Sequence, residues 1–116
     1  MIAIQTTSVG PITIVRVSGA LTIGERDLGL RRAIRAALDE GCRLFVVNLQ
    51  DLTFVDSSGI AEIATTHASV ANHGGRLTLC RVSQRLQDIF VTTRLNTVFV
   101  LYDSEADALA ALSAQT

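Results

Sequence analysis

The stretch "RLFVVNLQDLTFVDSSGI", residues 43–60, joins an apolar segment to a polar turn. Residues 43–49 are almost continuously apolar, which is typical of a strand that is covered on both faces. We therefore expect this segment to lie near the centre of a β-sheet. The hydroxyls of Ser57 and Ser58 then fall where a strand ends and a helix begins.

The helix that follows should begin near Ser57 and end at Gly74-Gly75, because glycine is a common helix stop. Its predicted apolar stripe consists of Ile60, Ile63, His67, Val70 and Ala71. Three alanines should let the helix approach the sheet closely: Ala61, Ala64 and Ala68.

The segments before this stretch predict a hairpin and a helix. Two strand-like runs within residues 2–21 flank the turn signal at residues 9–11, and the second run is rich in β-branched residues. A helix should follow over residues 24–41, with Glu25 and Asp27 near its positive end and Gly41 as its stop. Its inward face is expected to carry Leu30, Ile34, Ala37 and Leu38.

The segments after the central helix continue the alternation of strands and helices. A strand is predicted at residues 76–80, a short helix capped by Ser83 comes next, and a last strand spans residues 97–102. The short helix should turn Leu86, Ile89 and Phe90 inward. Ser104 and Asp107 have capping-box-like spacing at the start of a final helix that carries Leu109 and Leu112.

This alternation after a hairpin predicts an α/β fold with a mixed sheet, whose later strands are parallel, and about four helices. A chain of 116 residues fits one domain, residues 1–116. Ligands and functional loops of such sheets gather at the carboxyl ends of the parallel strands. The segment at residues 51–59 lies at that end of the central strand.

Composition and charge exclude several classes of partner. The 10 basic and 11 acidic residues leave a net charge of -1, so we expect no general attraction to nucleic acid or to an anionic membrane. No apolar run approaches the roughly 20 residues of a membrane span, and a signal peptide is not expected. The spacing of Cys42 and Cys80 suggests reduced thiols without a metal or redox site. These features predict a cytoplasmic protein with no metal and no cofactor.

Few residues suggest catalysis. His67 falls on an apolar stripe, which favours a packed histidine over a catalytic base, and His73 suits a solvated helix end. "DSSGI" lacks the arrangement of a nucleophile elbow. The "HGG" at residues 73–75 comes at a helix end, where the dipole repels phosphate, and no Walker A or GxGxxG motif is present. We therefore do not expect an enzyme.

The serine pair has two interpretations. Asp56 or Ser57 can act as the helix N-cap, which satisfies free N–H groups of the first turn. Alternatively, a serine at this position is exposed, and a phosphate on it would gain from the helix dipole while adding about -1.5 to -2 of charge. Such a charge could repel a partner without unfolding the domain.

The sequence also resembles a known family. "VVNLQDLTFVDSSGI", "HGGRLTLCRVSQRLQDIF" and "LNTVFVLYDSEADAL" are similar to the STAS domain of bacterial anti-sigma factor antagonists, over nearly the whole chain. The resemblance implies that the unphosphorylated protein binds an anti-sigma factor that is also a serine kinase, and so frees a sigma factor. The kinase then phosphorylates the antagonist with ATP, the complex dissociates, and a serine phosphatase resets it.

The family motif implies roles for particular residues. The phosphoacceptor corresponds to Ser57, with Ser58 as second choice, and Asp56, Ser58 and Gly59 would form part of the surface that faces the kinase. Many members have acidic residues after the second strand, whereas "GALT" here has Ala20 and Thr22 at those places. Thr22 is expected near the phosphosite, and Glu62 is expected to restore acidic character to the same surface.

Two other functions stay open at this level. The chain could be a non-switching STAS scaffold in a stress-sensing or lipid-transport assembly, in which "DSSG" only caps the helix and touches a partner. A small enzyme or nucleotide-binding protein is a third possibility, which the missing motifs disfavour. The oligomeric state is expected to be a monomer or a weak homodimer.

Overall fold

Strands and helices alternate along the chain in the predicted order. The computed structural model describes residues 2–21 and 29–114. The strands are β1 (Ile2–Val9), β2 (Ile12–Leu21), β3 (Leu44–Val55), β4 (Arg76–Cys80) and β5 (Val100–Tyr102). The helices are α1 (Gly29–Asp39), α2 (Ser57–Asn72), α3 (Gln84–Thr92) and α4 (Glu105–Ser113), and a 3-10 turn lies at Leu95–Thr97.

The strands form one mixed sheet in the order β1-β2-β3-β4-β5. β1 and β2 form an antiparallel hairpin, in which Gly10 adopts a φ of +58° that glycine tolerates without strain. β2, β3, β4 and β5 run parallel to one another. The predicted α/β fold, with a mixed sheet and about four helices, is confirmed.

Helices cover both faces of this sheet. Phe45 and Val47 of β3 belong to a core shared with α1, α2 and α3, whereas Val46 belongs to a second core with Ala108 and Leu112 of α4. Successive side chains of β3 thus enter opposite cores, which confirms that its apolar run is a central strand buried on both faces. The inward face of α1 is confirmed at Leu30, Ile34 and Leu38.

β3 is longer and less regular than predicted. It continues past residue 49 to Val55, and its pairing with β2 shifts register twice, between Arg16 and Ser18 and between Gly19 and Ala20. The Asn48 Oδ1 atom accepts a hydrogen bond from the Gln50 N–H at 2.8 Å, which satisfies a backbone donor at the first irregularity. Pairing with β4 ends at Asn48, so residues 49–55 extend beyond β4 as a ribbon with β2.

The buried face of α2 differs from the predicted stripe. Ile63 and Val70 are buried as expected, but Ala61, Ala68 and Ala71 are exposed. The expectation that Ala61 and Ala68 approach the sheet is therefore wrong. The remaining buried residues of the helix are Gly59, Glu62 and Thr66.

The last strand is shorter than the predicted residues 97–102. Leu95–Thr97 forms a 3-10 turn, and only Val100–Tyr102 pairs with β4. The cause is the packing of Phe99, which is 5% exposed and whose ring lies edge-on to Phe90, with ring centroids 4.9 Å apart. Burial of this large side chain outweighs the strand propensity of its neighbours.

Candidate functional site at the start of α2

Asp56 forms the junction between β3 and α2. Its backbone is extended, and its Oδ1 atom accepts a hydrogen bond from the Gly59 N–H at 2.9 Å. This contact satisfies one of the first helical N–H groups, which have no carbonyl partner within the helix. Of the two capping residues that the sequence left open, Asp56 is therefore the N-cap.

The junction is held against the end of β2. The Asp56 N–H donates a hydrogen bond to the Leu21 carbonyl oxygen at 3.3 Å. Gly59 is buried, and a Cβ atom at this position would overlap the Leu21 carbonyl oxygen and lie 2.6 Å from Val55 Cγ2. Only glycine lets α2 begin this close to β2, which explains the glycine of "DSSG" in terms of packing.

The two serines differ in exposure. Ser57 is exposed on the first turn of α2, whereas Ser58 is half-buried. Within residues 2–21 and 29–114, neither hydroxyl has a hydrogen-bond partner. The Ser57 hydroxyl is thus open to solvent at the positive end of a helix dipole, and its chemistry is separate from the capping contact made by Asp56.

Glu62 does not lie on this surface. Its side chain is only 4% exposed, one turn into α2, so the expectation that it adds acidic character to the surface is wrong. Burial raises the pKa of its carboxyl, and the Arg31 guanidinium, 3.9 Å from Oε1, opposes that rise. Within the described residues, Glu62 Oε2 and the nearby buried Thr66 Oγ1 have no hydrogen-bond partner. The side chain therefore belongs to the α1–α2 packing layer.

Thr22, Glu25 and Asp27 lie outside the described residues. The expected position of Thr22 near the junction, and those of Glu25 and Asp27 at the positive end of the first helix, stay predictions. Ala20, which precedes Thr22 by two residues in "GALT", is half-buried and pairs with Phe54 of β3.

Comparison with known proteins identifies the fold family. The family model for the STAS domain matches residues 3–108. The chain belongs to the STAS domain family. An anti-sigma F factor antagonist from Paenibacillus polymyxa is 29% identical over 101 residues, which are 87% of this chain and 86% of that protein.

Solved structures agree with this STAS fold. An anti-sigma factor antagonist from Mycobacterium paratuberculosis has a TM-score of 0.82 at 23% identity, and the match covers 96% of this chain and 93% of the other. The Bacillus cell fate determinant SpoIIAA in its phosphorylated form has a TM-score of 0.73 at 22% identity, with coverage of 95% and 99%. At these identities the likeness establishes the fold alone.

The two histidines and Cys80 of this STAS domain differ in their surroundings. His67 is half-buried with its ring edge-on to Phe99 at a centroid distance of 5.4 Å, and burial lowers its pKa. His73 is exposed, with Nδ1 2.7 Å from the Ser69 carbonyl oxygen. Burial raises the pKa of the Cys80 thiol to about 11, so it carries little thiolate at neutral pH.

Residues 2–21 and 29–114 of this STAS domain contain neither a candidate metal site nor a candidate membrane span. No group of three or more His, Cys, Asp or Glu residues there is arranged to hold a metal ion. None of its helices is long and apolar enough to cross a membrane.

Sequence reasoning missed one exposed residue next to the serine pair. Phe54 is 51% exposed although it lies in a strand that is otherwise rich in buried residues. The sequence contains a weak signal for it, because Phe54 and Val55 are adjacent and neighbouring strand residues point to opposite faces. The register shift that re-aims Phe54 cannot be read from that pattern.

Proposed function

We propose that this STAS domain is an anti-sigma factor antagonist that binds an anti-sigma factor with serine kinase activity and is released when Ser57 is phosphorylated. The general role is supported by the relative from Paenibacillus polymyxa, which is named an anti-sigma F factor antagonist. A phosphorylated form is known for the structurally similar SpoIIAA. In this proposal the protein has no catalytic activity, needs no cofactor and acts in the cytoplasm.

The observation that carries the proposal is the division of roles between Asp56 and Ser57. The Asp56 carboxylate caps α2, while Ser57 presents an exposed hydroxyl directly beside it. Modification of Ser57 therefore leaves the capping contact in place, and the fold can persist in both states. Ser58 is the second candidate, disfavoured because it is half-buried.

Phosphoryl transfer requires of this chain only that the Ser57 hydroxyl be accessible to the kinase. The Ser57 Oγ atom would attack the γ-phosphorus of ATP held by the kinase, the bond to the ADP oxygen would break, and the hydroxyl proton would pass to a base of the kinase. A serine phosphatase would return the hydroxyl by delivering water to the phosphate ester.

Release follows from electrostatics. A phosphate adds about -1.5 to -2 of charge at the start of α2, where the helix dipole stabilises it in the free domain. In the complex the same charge would stand next to Asp56 within a dehydrated interface, where unpaired charge is costly. The contact surface in this proposal consists of Asp56, Ser57, Ser58 and Gly59, with Thr22 beside them.

Intact-mass spectrometry tests the proposal directly. The purified protein is incubated with ATP and each anti-sigma kinase encoded in the same genome, and peptides covering residues 51–76 are then mapped. One added phosphate that is lost in Ser57→Ala is the expected result. No phosphate with any kinase, alongside stable binding to some other protein, would overturn the switch in favour of a non-switching STAS scaffold.

A further inference from the structure

A small cavity lies under the ribbon that carries the serine junction. Residues 49–55 of β3 extend past the end of β4, and α3 packs below them, leaving a cavity of about 70 Å³. Six of its nine lining residues are apolar, namely Leu49, Leu52, Phe54, Val55, Leu86 and Ile89, and the other three are Thr53, Ser83 and Arg85. The strand that lines the cavity therefore leads directly into the serine junction, since Phe54 and Val55 immediately precede Asp56.

The exposure of Phe54 does not stabilise the fold. Full burial of a phenylalanine contributes about 1.5–3 kcal/mol, and this side chain is left 51% exposed. The second register shift of β3 lies between the Gly19–Leu52 pair and the Ala20–Phe54 pair, so it comes directly before Phe54. Bulges of this kind re-aim side chains next to functional sites.

The size of the cavity selects the group that it can hold. An apolar cavity of about 150 Å³ accepts benzene, and this cavity has about 70 Å³. Its volume is therefore suited to a branched aliphatic group, such as the end of a leucine, isoleucine or valine side chain. Phe54 would then cover the inserted group from the side.

Arg85 indicates the charge of the occupant. It is the second residue of α3, where a cation opposes the helix dipole, so its guanidinium does not serve helix stability. Within residues 2–21 and 29–114, Arg85 is exposed and has no ion pair or hydrogen bond. A partner carboxylate beside the inserted aliphatic side chain would supply the missing counter-charge.

We infer that this cavity is a docking site for an aliphatic side chain neighboured by an acidic residue, both from the anti-sigma factor kinase that the proposed function requires. The docking contact holds the kinase next to Ser57 without using the switch residues themselves. Selectivity among kinases then comes from Phe54 and Arg85, while release comes from the phosphate. This inference rests on the proposed function.

Binding measurements with two variants and two matched controls test it. Phe54→Ala and Arg85→Glu change the cavity, whereas Val91→Ala removes an exposed apolar group on the other side of α3 and Arg76→Glu reverses an exposed charge at the amino end of β4. The dissociation constant of each full-length variant is measured by calorimetry against the recombinant anti-sigma kinases of the same genome. We expect both cavity variants to bind at least tenfold more weakly and both controls to stay within twofold of the parent.

The failure of this inference is distinguishable from failure of the proposed function. If the parent binds a kinase and both cavity variants bind it equally well, the docking site is overturned while the antagonist role stands. If the parent binds none of the kinases, both are overturned. Matched melting temperatures of the variants exclude misfolding as the cause of a loss.

Photo-crosslinking tests the chemistry of the occupant. p-Benzoylphenylalanine replaces Phe54, whose 51% exposure leaves room for the added benzoyl group, and the kinase peptide that it captures is identified by mass spectrometry. We expect a peptide in which leucine, isoleucine or valine neighbours aspartate or glutamate. Capture of a peptide that lacks this pair would overturn the inference.

Discussion

The Asp56 Oδ1 atom lies 2.9 Å from the Gly59 backbone nitrogen and accepts its hydrogen bond. This contact spans the serine pair, so the residues that hold the start of α2 are the two that flank Ser57 and Ser58. Asp56 supplies the cap and Gly59 supplies the close approach to β2. The Ser57 hydroxyl is consequently available for another role.

Substitutions at the junction should separate capping from switching. Asp56→Ala removes the cap and should lower the free energy of unfolding by about 0.5–2 kcal/mol. Ser57→Ala removes an exposed hydroxyl that caps nothing and should change it by less than about 0.5 kcal/mol. Urea denaturation of both variants beside the parent measures the difference. Equal losses in the two variants would contradict the assignment of the cap to Asp56.

Gly59→Ala should be among the more damaging single-methyl additions in the described chain. The new Cβ would overlap the Leu21 carbonyl oxygen, which belongs to the backbone and cannot rotate away. A loss of about 1–3 kcal/mol in unfolding free energy is expected, together with a shift of the α2 start.

Gly29→Ala is a matched control for this change. Its new Cβ would lie 3.1 Å from Ile4 Cγ1, a side-chain atom that can move. Alanine is also the better helix former, so any loss in unfolding free energy in this variant should stay below about 0.5 kcal/mol. Chemical denaturation of both variants checks the contrast, and similar losses in the two would show that the junction has room for a methyl group.

The sequence predicts local features of this fold more accurately than its packing. The Ser83 and Ser104 hydroxyls accept hydrogen bonds from the N–H groups of Leu86 and Asp107, as the cap spacing indicates, and β4 spans the predicted residues 76–80. These features depend on residues close together in the chain. Caps and short strands are therefore readable without knowledge of the tertiary structure.

Features set by distant contacts were missed. The orientation of α2 on the sheet buries Glu62 and leaves Ala61 and Ala68 exposed. This orientation follows from the close approach of Gly59 to Leu21, a residue 38 positions earlier in the chain. The exposure of Phe54 follows from the register of β3 against β2. The identity of the candidate site was predictable from "DSSG", but the cavity beside it was not, because neither pairing register nor helix rotation is encoded in a local pattern.

Burial of Glu62 should make stability depend on pH. Its pKa is raised in the folded state from an ordinary value near 4.5, so the folded protein binds the proton more tightly than the unfolded chain does. The stability that this group contributes is fully present below about pH 4.5 and is lost as pH rises through the raised pKa. At neutral pH the buried carboxylate, whose Oε2 atom has no hydrogen-bond partner within the described residues, is therefore a cost.

Glu62→Gln should remove that cost. The variant and the parent should be similar at about pH 4, and the variant should be more stable by on the order of 1 kcal/mol at about pH 8. Loss of the 3.9 Å contact with Arg31 matters little, because the Arg31 side chain is 55% exposed. Urea denaturation across this pH range gives the difference, and Glu40→Gln makes the same change at an exposed position. A variant less stable than the parent at high pH would show that the Glu62 carboxylate is well paired.

The charge at position 57 should decide partner binding without affecting the fold. Ser57→Asp places a carboxylate at the start of α2, which the helix dipole favours, so the free domain should keep its stability. In the proposed complex the same carboxylate adds to Asp56, and affinity for the anti-sigma kinase should fall by about 1–3 kcal/mol. Ser57→Asn has nearly the same shape without the charge and should bind within a few-fold of the parent. Calorimetric titration of the three proteins separates charge from size, because equal binding of Ser57→Asp and Ser57→Asn would leave electrostatic release without support.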